Sequence, residues 1–137
     1  MNNLQILSKL EKTLNIEIPK VEKETSQHHK VGYTLNDQNK VDSLFLDGCA
    51  VKTKDLKLIG ELTDLRKIDL SNNQISKIKN LNKLTNLIEL KIENNQIIKI
   101  QGLDKLTNLI ELNLINNQTP YEKIEFKEDS FDAFIVF

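Results

Sequence analysis

Apolar and polar positions follow one another along residues 62–117 in a pattern written three times. It runs from Leu62 (LTDLRKIDLSNNQISKIKNLNK), again from Leu84 (LTNLIELKIENNQIIKIQGLDK) and again from Leu106 (LTNLIELNLINNQ). The starts are 22 residues apart, 62 to 84 and 84 to 106. A fixed period in this range marks stacked repeats. The apolar columns are Leu65, Ile68, Leu70 and Ile75, then Leu87, Leu90, Ile92 and Ile97, then Leu109, Leu112 and Leu114. The step of two from Ile68 to Leu70 puts both side chains on one face of a short strand. Ile75, Ile78, Leu81 and Leu84 then come every three residues, which predicts a tight 3₁₀-like return. One repeat is thus a strand, a corner and a return. It buries its apolar face only against its neighbours, so the strands stack in parallel.

An asparagine sits between the last two columns of each copy, at Asn73, Asn95 and Asn117. Backbone groups lose their ladder partners at the corner after a strand. An inward amide, which both donates and accepts, satisfies them. Asn72, Asn94 and Asn116 read instead as solvated turn residues. A degenerate fourth copy lies upstream: Val41, Leu44, Leu46 and Val51 fill the strand half, with Cys49 in the asparagine column. Its return is two residues longer, as befits an atypical terminal repeat.

The string L-x-x-L-x-L-x-x-N-x-I resembles the leucine-rich-repeat family, in which cysteine also occurs in the asparagine column. The 22-residue period is similar to the subclass of the phosphatase-1 regulatory subunit and the bacterial internalins. The resemblance covers about residues 41–119. It implies an α/β fold, a short right-handed solenoid with parallel strands on its concave face, and a protein-binding scaffold without catalysis or cofactor.

The flanks read as caps. Leu4, Leu7, Leu10 and Leu14 form a stripe on a helix over 3–14, with Asn2 or Asn3 as its N-cap. Residues 19–30 are polar and predict a mobile surface linker. Val31, Tyr33 and Leu35 alternate, then Asn36, Asp37, Gln38 and Asn39 turn the chain into the strand beginning at Val41, a β-hairpin. Residues 1–40 are therefore expected to cap the repeats of 41–119. Residues 120–137 end in SFDAFIVF, too apolar for a free tail, and predict a C-terminal cap or a homodimer surface.

Composition narrows the function. A net charge of −1 and a single arginine, Arg66, among 19 basic residues argue against nucleic-acid binding. No apolar run approaches the ~18 residues of a membrane span. The N-terminus shows no secretory signal, and one cysteine fits a reducing compartment, so a cytoplasmic location is expected. His28 and His29 are adjacent and point apart, with no further ligand at metal spacing. No P-loop, G-x-S-x-G or H-E-x-x-H is present, and the chain does not read as an enzyme.

The surface that remains is the outward side of the strands. By column it carries Ser43, Lys67, Glu89 and Glu111, then Phe45, Asp69, Lys91 and Asn113, then Asp47, Ser71, Glu93 and Ile115. Phe45 and Ile115 put large apolar groups where the pattern predicts water. The expected contact set for a protein partner is Phe45, Lys67, Asp69, Glu89, Lys91, Glu93, Glu111, Asn113 and Ile115. The alternatives are a homo-oligomer joined through the last repeat and tail, or a regulatory subunit of an enzyme.

Overall fold

The computed structural model describes residues 1–118 and the strand Phe134–Val136. The expectations for 120–137, a C-terminal cap or a dimer surface, lie outside the described residues apart from that strand. In chain order the elements are helix α1 (Asn3–Leu14), a 3₁₀ segment (Lys23–His28), β1 (Val31–Leu35), β2 (Val41–Leu46), a 3₁₀ turn (Thr53–Asp55) leading into helix α2 (Leu56–Ile59), β3 (Lys67–Asp69), β4 (Glu89–Lys91), β5 (Glu111–Asn113) and β6 (Phe134–Val136).

Among the described residues these strands form one sheet in chain order, β1 to β6. β1 and β2 pair antiparallel. The pairs from β2 to β5 are parallel, as the repeat predicts, and in register: Leu44 beside Ile68, Ile68 beside Leu90 and Leu90 beside Leu112. β6, which no repeat predicts, adds in parallel with Ile135 beside Leu112. The regular strands are short because each repeat supplies only one inward residue between two outward ones before its corner. The returns run in steps of three, with Leu65 N donating to Leu62 O at 3.1 Å, Leu87 N to Leu84 O at 3.0 Å and Leu109 N to Leu106 O at 3.1 Å. The inward column and the return columns meet in one apolar core that extends from α1 to Leu114.

The longer return of the first repeat is filled by the 3₁₀ turn and α2. Asp55 Oδ2 accepts from Lys52 N at 2.8 Å and starts that turn. Gly60 ends α2 where a β-carbon would lie 1.9 Å from the carbonyl oxygen of Asn80 on the next repeat. Only a residue without a side chain lets the two returns approach so closely.

α1 has the expected N-cap, with one change in its buried face. Asn2 Oδ1 accepts from Gln5 N and Gln5 Oε1 from Asn2 N, both at 2.9 Å, a reciprocal capping box. The helix ends at Asn15, in the left-handed region at φ 54°, four residues ahead of Pro19. Ile6, Leu7 and Leu10 are buried, while Leu4 is 59% exposed. At about 100° per residue, Ile6, Leu7, Leu10 and Leu14 share one sector and Leu4 falls outside it. Asn3 Oδ1 accepts from Val41 N at 2.7 Å and ties the helix to the start of β2.

The hairpin carries an irregularity that matters for the face above it. Thr34 pairs with Ser43 but Leu35 with Val41, so Asp42 is an extra residue on β2. This bulge resets the alternation, and Val41 joins Leu44 and Leu46 in the core. The linker expected over 19–30 is also ordered differently. It pairs with β1 through Val21 N to Tyr33 O at 2.8 Å and Tyr33 N to Pro19 O at 2.9 Å, then winds as the 3₁₀ segment.

Candidate protein-interaction face

The outward side chains of β3, β4 and β5 stand in registered ranks: Lys67 beside Glu89 beside Glu111, and Asp69 beside Lys91 beside Asn113. Glu89 sits between two ammonium groups, with Lys91 Nζ 3.1 Å and Lys67 Nζ 3.7 Å away. Burial works to lower the pKa of Lys91. The hydrogen bond to Glu89 and the charges of Glu89, Asp69 and Glu111 outweigh it, and the group titrates above its ordinary value. Glu93 accepts from Asn113 Nδ2 at 2.7 Å, and Asn113 Oδ1 accepts from Ile115 N at 3.1 Å. Glu111 and Ile115 are half-buried. Eight of the nine expected contact residues thus lie at or near the surface of β3 to β5 and the corners that follow.

Phe45 is the exception and requires correction. It is only 9% exposed, so it is not an open contact. It is also outside the apolar core. Its partner in β1 is Gly32, which offers no side chain to cover it. Val21 stands where a Gly32 side chain would be, its Cγ1 2.7 Å from the place of a β-carbon there, and the 3₁₀ segment lies beyond it: Lys23, Ser26, Gln27 and His29 line a cleft of ≈ 170 Å³ together with Phe45, Lys67 and Asp69. Ser71, expected to face outward, is buried at 2% exposure, and its hydroxyl has no hydrogen-bond partner among the described residues.

Beneath the ranks the asparagine column holds the corners. Asn73 Oδ1 accepts from Cys49 N at 3.0 Å and Val51 N at 2.9 Å, while Nδ2 donates to the carbonyls of Leu46, Leu70 and Ser71 at 2.7 to 3.0 Å. Asn95 repeats the motif, accepting from Ile75 N at 3.0 Å and donating to Leu70 O at 2.9 Å. Asn117 accepts from Ile97 N at 3.0 Å and donates to Ile92 O at 2.8 Å. Cys49 fills the same column in the first repeat with a thiol 3.6 Å from Asp47 O. Burial first, and then the charge of Asp47, push that thiol above its ordinary pKa.

Two features escaped the sequence reading. The turn asparagines form a second, exposed ladder: Asn116 Nδ2 donates to Asn94 Oδ1 at 2.8 Å, Asn94 to Asn72 at 2.9 Å, and Asn72 to Asp47 Oδ1 at 2.7 Å. All three have positive φ, from 53° to 56°. Asparagine tolerates that conformation better than most residues, and the 22-residue recurrence was the available signal. The second is Asp42. Its buried carboxylate accepts from Thr34 Oγ1 at 2.6 Å and from Lys23 Nζ at 2.8 Å. No sequence signal marked it, because the bulge that places it is a tertiary feature.

Among the described residues no group of three or more His, Cys, Asp or Glu comes together as a metal site. His28 and His29 contact only Gln27 and Thr25 among the side chains that hydrogen-bond to them. No helix among the described residues is long and apolar enough to cross a membrane.

No protein-family model matches the sequence, and no curated protein sequence matches it. Solved structures do. A crystal structure of an internalin from Listeria monocytogenes is similar at 34% identity and a TM-score of 0.55, over 60% of this chain and 24% of the internalin chain. A leucine-rich-repeat protein of Leptospira interrogans is similar at 22% identity and a TM-score of 0.59, over 79% of this chain and 31% of its own. The fold is that of leucine-rich-repeat proteins. The chain spans about a quarter to a third of the length of those two leucine-rich-repeat structures. The likeness to the Leptospira protein concerns architecture alone.

Proposed function

We propose that the protein is a non-catalytic protein-interaction module that takes a protein partner on the outward, concave face of its repeats. The observation that carries this is the registered ranks over β3 to β5, polar side chains on backbones fixed by hydrogen-bonded corners. A rigid array of this kind presents specific contacts without an ordering cost on binding. The contact set is Lys67, Asp69, Glu89, Lys91, Glu93, Glu111, Asn113 and Ile115. Strands about 4.8 Å apart give this face a width of roughly 15–20 Å. A stable interface takes about 800 Å² per partner, so the partner extends onto a flank of the ribbon as well.

Within this reading the repeats belong to the 22-residue subclass of right-handed solenoids, supported by the repeat starts at Leu62, Leu84 and Leu106. Residues 1–40 close one end of the 41–119 ribbon, while the closure expected of residues 120–137 lies outside the described residues apart from β6. The burial of Ile6, Leu7 and Leu10 against the first repeat supports the N-terminal closure. A buried lone thiol fits the reducing cytoplasm.

The test is affinity capture with wild type and with a Glu89→Lys/Glu93→Lys variant of equal thermal stability. Loss of a specific partner in the variant supports the reading, and undiminished recovery of every partner refutes it. A second reading, association of two copies through residues 120–137, draws on the position of β6 last in the sheet order. Light scattering on the full chain and on a chain ending near Pro120 separates the two.

A further inference from the structure

We infer that residues 22–30 are a reversible strap that conceals Phe45, an aromatic contact held in reserve on the interaction face. The inference rests on the reading of that face as the place where a partner docks. It starts from where Phe45 is buried. The ring lies on the outward side of β2, apart from the core, so its burial is not part of the packing that holds the repeats together. Beyond Val21, which stands over Gly32 and stays with the sheet, the segment on this side of the ring has no buried residue of its own. None of the residues Lys23–His28 is buried.

The hydrogen bonds of the strap are local. Thr25 N donates to Glu22 O and His29 N to Ser26 O, while Ser26 Oγ returns to Lys23 O. Both its ends are fastened to the sheet by backbone bonds, Val21 N to Tyr33 O at 2.8 Å and Asp47 N to Lys30 O at 2.9 Å. Between these fixed ends, among the described residues, one side-chain bond reaches from the strap to the sheet: Lys23 Nζ to Asp42 Oδ2 at 2.8 Å. The Lys23 side chain is 53% exposed and that of Asp42 9%. Opening the strap therefore breaks one half-solvated ion pair and uncovers one aromatic ring, with no loss from the core.

The position of the ring gives the device its consequence. Phe45 is in register with Asp69, and through it with Lys91 and Asn113, in the central rank of the face. With the strap down, that rank begins with a covered residue. With the strap lifted, it begins with a large apolar group beside charged ones, the composition in which aromatic anchors dominate binding energy. A partner that displaces the strap gains this anchor, and one that does not is confined to the charged part of the rank.

The sequence has no tryptophan, so Phe45→Trp places a single reporter at the site. In that background the emission should be blue-shifted and shielded from acrylamide. Adding Lys23→Ala, or Lys23→Ala with Asp42→Asn so that no buried carboxylate is left unpaired, should raise the quenching constant roughly threefold with the thermal midpoint nearly retained. Independently of any substitution, amide exchange at Thr25 and His29 should be roughly a hundredfold faster than at Val21 and Asp47. Quenching that is already high with Lys23 in place, or unchanged by its removal, overturns the inference. So does strap exchange as slow as that of its two anchors. No partner takes part in these measurements. Their failure leaves the interaction face standing, and an undiminished capture by the Glu89→Lys/Glu93→Lys variant leaves the strap standing.

Discussion

The side-chain oxygen of Asn73 lies 3.0 Å from the backbone nitrogen of Cys49, so the corner of one repeat is satisfied by a side chain of the next. The same oxygen accepts from Val51 N, and the amide nitrogen reaches three carbonyls. Asn73→Ala therefore strands several buried backbone groups at once. Each such group costs about 1–3 kcal/mol. We expect a loss of about 3 kcal/mol or more in urea unfolding. Asn117→Ala should cost less, because Asn117 is half-exposed and water replaces part of what it supplies.

The outer ladder makes a different demand, on backbone rather than on burial. Asn94 has φ 53° and sits in solvent. Asn94→Gly and Asn94→Ala both remove its bonds to Asn72 and Asn116. Only alanine must also hold a β-carbon in the left-handed region, which costs about 1 kcal/mol. The alanine variant should be less stable than the glycine variant by that amount. Equal midpoints would show that φ is not what selects this residue.

Two small side chains should respond in opposite senses. Gly60→Ala forces a methyl group against the carbonyl of Asn80, which lies 1.9 Å from the new atom, and the two returns must separate. A loss of about 2–4 kcal/mol is expected. Ser71→Ala instead removes a buried hydroxyl that makes no hydrogen bond among the described residues. It should leave stability unchanged or raise it by about 1 kcal/mol.

The thiol of Cys49 links stability to pH. Its pKa is raised from 9.0 by burial and by Asp47. The folded chain thus keeps this proton to higher pH than the unfolded chain does. The associated stability is intact below about pH 9 and falls as pH rises towards the folded pKa. Lys91, raised from 10.5, acts in the same direction at still higher pH. Denaturation midpoints between pH 8 and pH 10 should fall more steeply for wild type than for Cys49→Ala. Alkylation of Cys49 at neutral pH should be slow and should accelerate with denaturant, since the thiol is 7% exposed.

The parts of the fold that were legible from sequence are those in which local spacing and burial agree. Ile68 and Leu70 announce a strand face, and their recurrence at Leu90 and Ile92 announces its parallel neighbour. Asn73 stands out because it is polar in an apolar register. Phe45 misled because a pleat pattern reports which side a residue faces, not what lies above that side. The segment beside it, residues 19–30, has a solvent-like composition and stays near the sheet through backbone bonds at Tyr33 and Asp47 and one ion pair. None of these bonds leaves a mark on hydropathy. Asp42 was hidden for a related reason: one inserted residue reverses the inward and outward sense of everything before it in β2. The face itself was legible as a set of positions, but spacing carries no information on the bonds within it, such as Glu93 to Asn113.

Among the described residues the strands of the sheet stand in the order in which the chain makes them. Length is therefore an additive property of this architecture. Duplicating residues 84–105 in frame would insert one more rung between β4 and β5 and reproduce both amide ladders across it. The new rung would present a further Glu and Lys to solvent while leaving the helix, the hairpin and the closing strand with the neighbours they have now. Reach, rather than shape, is what such a chain varies most cheaply.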